Sequence, residues 1–149
     1  LEYREFTKED FARYHPGGML GKKLSLKVVD VINDKTPLVY INTSIKDIII
    51  EISKNRLGAT AVNDKNHQII GMITDGDLRR ALENNSDFTK LVAGDIMTIN
   101  PKIVSEQSLA YDAFKIMKNF NITQLVVLKD DIYCGIIHIH DIIEEGIVK

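Results

Sequence analysis

Residues 71–80 read GMITDGDLRR, and residues 135–144 read GIIHIHDIIE. Each begins as an apolar, strand-like run, turns, and continues as the start of a helix. Each sets an aspartate at the same distance from a leading glycine: Asp77 after Gly71, Asp141 after Gly135. Strand, turn and helix recurring in this form point to a duplicated unit.

Working outward, a shift of 64 positions with no gap lays the rest of one copy on the other. Pro37 falls on Pro101, Ser44 on Ser108, Ile52 on Ile116, Lys54-Asn55 on Lys118-Asn119, and Val62 on Val126. Only the leading Asp30-Val31-Ile32 needs one further residue to reach Asp95-Ile96-Met97. Both copies then share one grammar. A short extended run, Leu38–Ile41 or Ile103–Ser105, precedes a helix. Ser44 or Thr43 caps the first helix, with Ile45, Ile48, Ile49 and Ile52 as its apolar stripe; Ser108 caps the second, with Ala113, Ile116, Met117 and Phe120. Two strands joined by polar turns follow, Ala59–Val62 with Ile69–Ile73 and Gln124–Leu128 with Tyr133–Ile137. A last helix begins near Asp77 or Asp141. The order is β-α-β-β-α, twice. Each repeat alone exposes an apolar sheet face, so the expected fold is α/β, two repeats packed as a pseudo-twofold module with a cleft between them. Residues 28–90 form the first repeat and 91–149 the second.

Ahead of them, Phe6-Thr7-Lys8-Glu9-Asp10-Phe11 carries a helix start, with Thr7 as cap and Phe6 and Phe11 at staple positions. His15-Pro16-Gly17-Gly18 ends that helix, and the chain up to Lys27 reads as a connecting segment. Leu1-Glu2-Tyr3 leads straight into the helix signal, as in a fragment of a longer protein.

Composition narrows the function. The chain has 149 residues, 27% of them charged, with net charge −2 and no long basic run, which argues against nucleic acid or an anionic membrane as the main partner. Cys134, the one cysteine, precludes an internal disulfide and sits in an apolar run, as a small buried hydrophobe does. No apolar run approaches the ~18 residues of a membrane span, and a reducing cytoplasm fits.

The opening motif admits three readings. In the plainest, Asp75-Gly76 turns the chain, Thr74 or Asp75 caps the helix, and Asp77 gains about 0.3–1 kcal/mol from the helix dipole. In the second, an aspartate at a strand end and helix start accepts two hydrogen bonds from a ribose diol, with Thr74 adding a hydroxyl and Arg79 and Arg80 reaching a phosphate. In the third, Asp75 and Asp77 work as an acid–base pair. The second copy keeps only Asp141, which favours the ribose reading. His138-Ile139-His140-Asp141 also invites a metal, but the first copy has no such histidines, and satisfied or ligand-contacting imidazoles are preferred.

The tandem β-α-β-β-α repeat with Gly-x-x-Thr-x-x-Asp at 71–77 resembles a pair of CBS (cystathionine-β-synthase type) regulatory domains over residues 28–148. With Asp10-Phe11-Ala12, His15-Pro16-Gly17-Gly18-Met19-Leu20-Gly21, Thr74–Arg80 and His138–Asp141, the whole chain is similar to the bacterial arabinose-5-phosphate isomerases. Those enzymes join a sugar isomerase (SIS) domain to a CBS pair. They interconvert ribulose 5-phosphate and arabinose 5-phosphate on the route to Kdo, a lipopolysaccharide or capsule sugar. The resemblance implies that residues 1–27 are a junction helix and linker from an absent SIS domain, that His15 completes the isomerase site only with that domain, and that the piece alone is inactive. It implies a nucleotide in the cleft, AMP, ATP or a cytidine monophosphate sugar. Thr74 and Asp77 would then contact ribose in one site, with Asp141 and His138 in the other. Thr60 and Thr123 would stand near the base, and no metal or other cofactor is required. It implies a homodimer of CBS pairs, a tetramer in the parent, and an alternative role as an assembly module with an empty cleft. His138 in place of Thr74 puts equal filling of the two sites in question.

Overall fold

The computed structural model describes residues 18–148. Two small sheets form, each with a parallel pair followed by an antiparallel one. In chain order the elements of the first half are α1 (Met19–Ser25), α2 (Val28–Val31), β1 (Leu38–Tyr40), α3 (Ile45–Asn55), β2 (Ala59–Asn63), β3 (Ile69–Thr74) and α4 (Asp75–Asn84). After a 3-10 turn at Phe88–Lys90 come α5 (Ala93–Ile96), β4 (Thr98–Ile99), β5 (Ile103–Ser105), α6 (Ala110–Phe120), β6 (Gln124–Lys129), β7 (Ile132–His138) and α7 (Ile139–Ile143). The sheets run β1-β2-β3-β4 and β5-β6-β7. The α/β class and the twofold repetition are as the sequence predicts. Met19–Ser25, expected as connecting chain, is a helix. Thr7 and His15 lie outside the described residues.

The equivalence of the halves corrects the ungapped shift. Ile45, Ile48 and Ile52 are the buried stripe of α3, and Ala110, Ala113 and Met117, each 65 residues on, are that of α6. The shift becomes 64 only at the hairpin. Asn63 pairs with Ile69, but Leu128 pairs with Tyr133, so the second turn is one residue shorter. Ser108 is therefore the partner of Thr43, not of Ser44. Ser44 caps α3 by accepting the Asp47 N–H at 3.3 Å, while Leu109 stands at the cap of α6 with no side-chain bond. Ile49 and Phe120, placed in the stripes by the sequence, lie on the flanks and are exposed; the Lys102 ammonium sits 4.1 Å from the Phe120 ring centroid.

The leading segments cross over. Val28 is fully buried in the second half's core with Ala113, Met117, Val127 and Ile142, and its N–H donates to Ser108 O at 2.8 Å. Ala93 is fully buried in the first half's core with Ile45, Ile48 and Val62, and its N–H donates to Thr43 O at 2.9 Å. Each repeat thus starts on its neighbour. Gly71 and Gly135 admit the crossing chains: a Cβ there would come within 3.0 Å of Thr98 O and Lys35 O respectively. The other sheet faces meet. Leu57, Ala59 and Met72 of the first half pack on Val126 and Ile136 of the second, burying the apolar faces the sequence left open.

Candidate functional site

Helix α4 begins where β3 runs out. Thr74 takes the cap position in extended backbone, its hydroxyl accepting the Asp77 N–H at 3.2 Å, while Asp77 Oδ2 accepts the Thr74 N–H at 3.0 Å. This reciprocal pair satisfies two donors that the helix leaves open. The second half repeats it with an imidazole. His138 Nδ1 accepts the His140 N–H at 3.0 Å, and Asp141 Oδ2 accepts the His138 N–H at 2.9 Å. Each aspartate is also tied to a crossing segment: the Thr98 hydroxyl lies 3.2 Å from Asp77 Oδ2, and Asn33 Nδ2 donates to Asp141 Oδ2 at 2.8 Å. Neither partner was found from the sequence. Their signal was the leading match of Asp30–Asn33 to Asp95–Thr98, which singles out two polar residues at one position.

A cleft of about 450 Å³ opens at the start of α4, between the halves. Thr74, Asp75, Gly76 and Arg79 form one side, over Gly58 and Met72. Asn121, Ile122, Thr123 and Gln124 of the second half form the other. Gly58 has φ +69°, and a Cβ on it would meet Gln124 Nε2 at 3.2 Å and Asp75 Oδ2 at 3.3 Å, so glycine keeps this corner open. Gln124 is buried and spans the halves, with Nε2 donating to Leu57 O at 2.9 Å and Oε1 accepting the Thr123 hydroxyl at 2.9 Å. Arg79 is exposed and enters no ion pair among the described residues.

Of the residues singled out in the sequence, Thr74, Arg79 and Thr123 come together in this cleft. Asp77 is 8% exposed, and its carboxylate is turned to Thr74, Thr98 and Arg80, the last at 2.6 Å. Thr60 is fully buried within β2 and donates to Ala61 O at 3.1 Å. His138 and Asp141 lie at the equivalent helix start of the other half. There the surroundings differ: His140 replaces Gly76, Ile143 replaces Arg79, and Arg56 replaces Asn121. The rings of His138 and His140 stack with centroids 4.8 Å apart. Burial, then the neighbouring His140, hold the His138 imidazole below its ordinary value, against a smaller opposing pull from Asp141. Among the described residues no group of three or more His, Cys, Asp or Glu is arranged to hold a metal ion. Burial pushes the Cys134 thiol up, which suits a packing residue rather than a nucleophile. Asp75, read from the sequence as turn, cap or half of an acid–base pair, and Gln124, read only as the start of a strand, are both cleft residues. A glutamine opening the apolar run QLVVL was the available signal for the second.

Two helix starts of one design, each set at a strand end and clasped by a crossing segment, mark a tandem repeat module. The chain belongs to the CBS domain family, whose pattern matches residues 28–84 and 93–147. It is 41% identical to the arabinose 5-phosphate isomerase KdsD of Pseudomonas aeruginosa over 151 aligned positions, which cover 99% of this chain and 46% of that protein. It is 44% identical to an uncharacterized protein of Rickettsia prowazekii, covering 98% of this chain and 46% of the other. The chain therefore spans about half the length of the curated relatives it matches. A solved CBS domain protein from Pyrobaculum aerophilum, complexed with AMP, superposes with a TM-score of 0.72 at 18% identity, over 83% of this chain and 100% of that one. No helix among the described residues is long and apolar enough to cross a membrane.

Proposed function

We propose that this chain is the nucleotide-sensing CBS pair of an arabinose 5-phosphate isomerase, and that the cleft at the start of α4 receives a nucleoside phosphate. The observation that carries the reading is the cleft itself, about 450 Å³, within the usual range for small-molecule sites, with the exposed Arg79 guanidinium at its rim. Arg79 takes the phosphate by charge-assisted hydrogen bonds. The exposed Asp75 carboxylate accepts ribose hydroxyls, and the Thr74 hydroxyl lies beside it. Met72 and Ile122 offer an apolar floor for a base, with Asn121 and the Thr123 hydroxyl at its edge. Asp77 and Asp141 act through the caps they hold, and Arg80 through Asp77. The similarity to KdsD supports a parent that interconverts ribulose 5-phosphate and arabinose 5-phosphate for Kdo synthesis. An adenine nucleotide and a cytidine monophosphate sugar are the two ligand classes in contention.

Calorimetric titration with AMP, ATP and the cytidine monophosphate conjugate of Kdo tests this. One of them gives saturable heat, and Arg79→Ala weakens that binding about tenfold or more, the usual worth of a hydrogen bond to a charged group. Absence of heat from all three contradicts it. A second reading, an assembly module, is favoured by a separate groove of about 370 Å³ lined by Ile45, Ile49 and Ile50 of α3 and Phe88 of the 3-10 turn. Under that reading nucleotides leave the melting temperature unchanged, whereas a cleft ligand raises it by mass action.

A further inference from the structure

The cleft is joined to the N-terminal helix by two struts. Asn121, which lines the cleft, is the left-handed C-cap of α6, and the first residue of α6, Ala110, donates its N–H to Leu26 O at 2.8 Å, directly after α1. Helix α7 runs the opposite way. Its first residue, Ile139, donates to the carbonyl of the cleft residue Thr123 at 2.8 Å, and just past its end the Glu145 carbonyl accepts the Lys22 ammonium of α1. Both helices therefore have one end at the cleft and the other at α1. Eleven residues of α6 make a rod of about 16 Å.

The seat of α1 is built as well as bonded. Lys23 lies 4.6 Å from the Tyr111 ring centroid, and Lys27 Nζ donates to Gln107 Oε1 at 3.0 Å. Leu26, the residue that ends α1, packs on the core shared by Ala113 and Met117 of α6 and Ile142 of α7, so the exit of α1 is anchored in the same apolar cluster as both struts. Close-packed interiors of this kind transmit displacement instead of absorbing it.

We propose that Met19–Ser25 is the output element of the nucleotide cleft: ligand contact at Asn121–Gln124 is carried by α6 and α7 to α1, so that chain upstream of residue 19 reads the state of the second half, not the first. This rests on the nucleotide reading of the cleft and adds the direction of its regulation. The ligand bridges the halves by touching Arg79 on one side and Thr123 on the other. Drawing them together loads the Thr123–Ile139 bond at the near end of α7 and shifts Lys22 at its far end. The Lys22 bond is the weakest joint of the route, since it is one flexible side chain on one carbonyl.

Hydrogen–deuterium exchange of the whole chain, read by mass spectrometry with and without AMP, ATP or the cytidine monophosphate conjugate of Kdo, separates the two claims. The expected result is slowed exchange over Gly58, Thr74–Arg79 and Asn121–Gln124, together with several-fold slower exchange over Met19–Leu26. In Lys22→Met the cleft protection remains and the added α1 protection is lost. Cleft protection without a change in α1, or an unchanged α1 response in Lys22→Met, overturns the output role and leaves the cleft reading standing. No cleft protection with any of the three overturns the nucleotide reading, and the output role with it.

Discussion

His138 uses an imidazole where Thr74 uses a hydroxyl, and this makes one of the two helix starts sensitive to pH. The ring accepts the His140 N–H through Nδ1, so only the form with that nitrogen unprotonated can cap. Its folded-state value is lowered from 6.5, by burial first and by His140 next, while Asp141 opposes. Between that lowered value and 6.5 the unfolded chain binds more protons than the folded one, so stability rises with pH through this window. The contribution is complete above about 6.5 and declines as pH falls toward the folded-state value. In His138→Asn, which keeps a capping acceptor, urea midpoints measured between pH 5 and 8 lose this part of their slope. At this scale the sequence was readable where partners are near. Thr74 and Asp77 stand three residues apart, the spacing of a capping box, and that can be seen in a string. Thr98 and Asn33 reach their aspartates from distant positions, and no local pattern announces them. The recurrence of Asp77 as Asp141 points the sequence reading to a ribose contact; in the structure the oxygens of Asp77 face Thr74, Thr98 and Arg80.

Helices α3 and α6 share a place and a buried stripe, but only one has a side-chain cap. Ser44→Ala removes an acceptor from an open N–H and is expected to cost about 1 kcal/mol. Ser108→Ala, one residue outside the cap of α6, is expected to change stability by less than about 0.5 kcal/mol. Paired denaturant melts of the two variants check the register, since the ungapped alignment predicts equal losses. The helix itself was legible despite five isoleucines, because spacing and cap outweigh weak propensity once a stripe is buried. The register was not. Ser108 and Ile116 match Ser44 and Ile52 by identity at a shift of 64, whereas the structural partners differ in residue type: Leu109 shares only the cap position of Ser44, and Met117 shares the burial of Ile52. Burial is conferred by the fold, and in a string it shows only through periodicity. Strand β4 was missed for a related reason: two residues, Thr98 and Ile99, gain strand geometry only by pairing with Met72 and Gly71.

At the scale of the whole molecule, the crossing of the leading segments ties the repeats together more firmly than a facing pair of sheets would. Val28→Ala deletes two buried methyl groups from the second half's core, at a cost of about 1–3 kcal/mol. Amide exchange in that variant should quicken in β6 and β7 before β2 and β3, although Val28 precedes the first repeat's own strands. Equal quickening in both sheets, or quickening confined to β2 and β3, would be inconsistent with the crossing. The duplication, the layer order and the burial of the inner faces were all legible, since they follow from pattern and from the need to cover apolar surface. The exchange of segments was not, because either half could have completed either sheet with the same residues.

The cleft at the start of α4 is where fold and proposed function meet, and amide NMR of the chain titrated with AMP, ATP and the cytidine monophosphate conjugate of Kdo examines it residue by residue. The account predicts that at least one of them produces saturable shifts concentrated at Gly58, Gly76, Arg79, Thr123 and Gln124, and that Arg79→Ala suppresses them. Shifts that gather instead on the exposed face of α3, or no shifts with any of the three at saturating concentration, would contradict it.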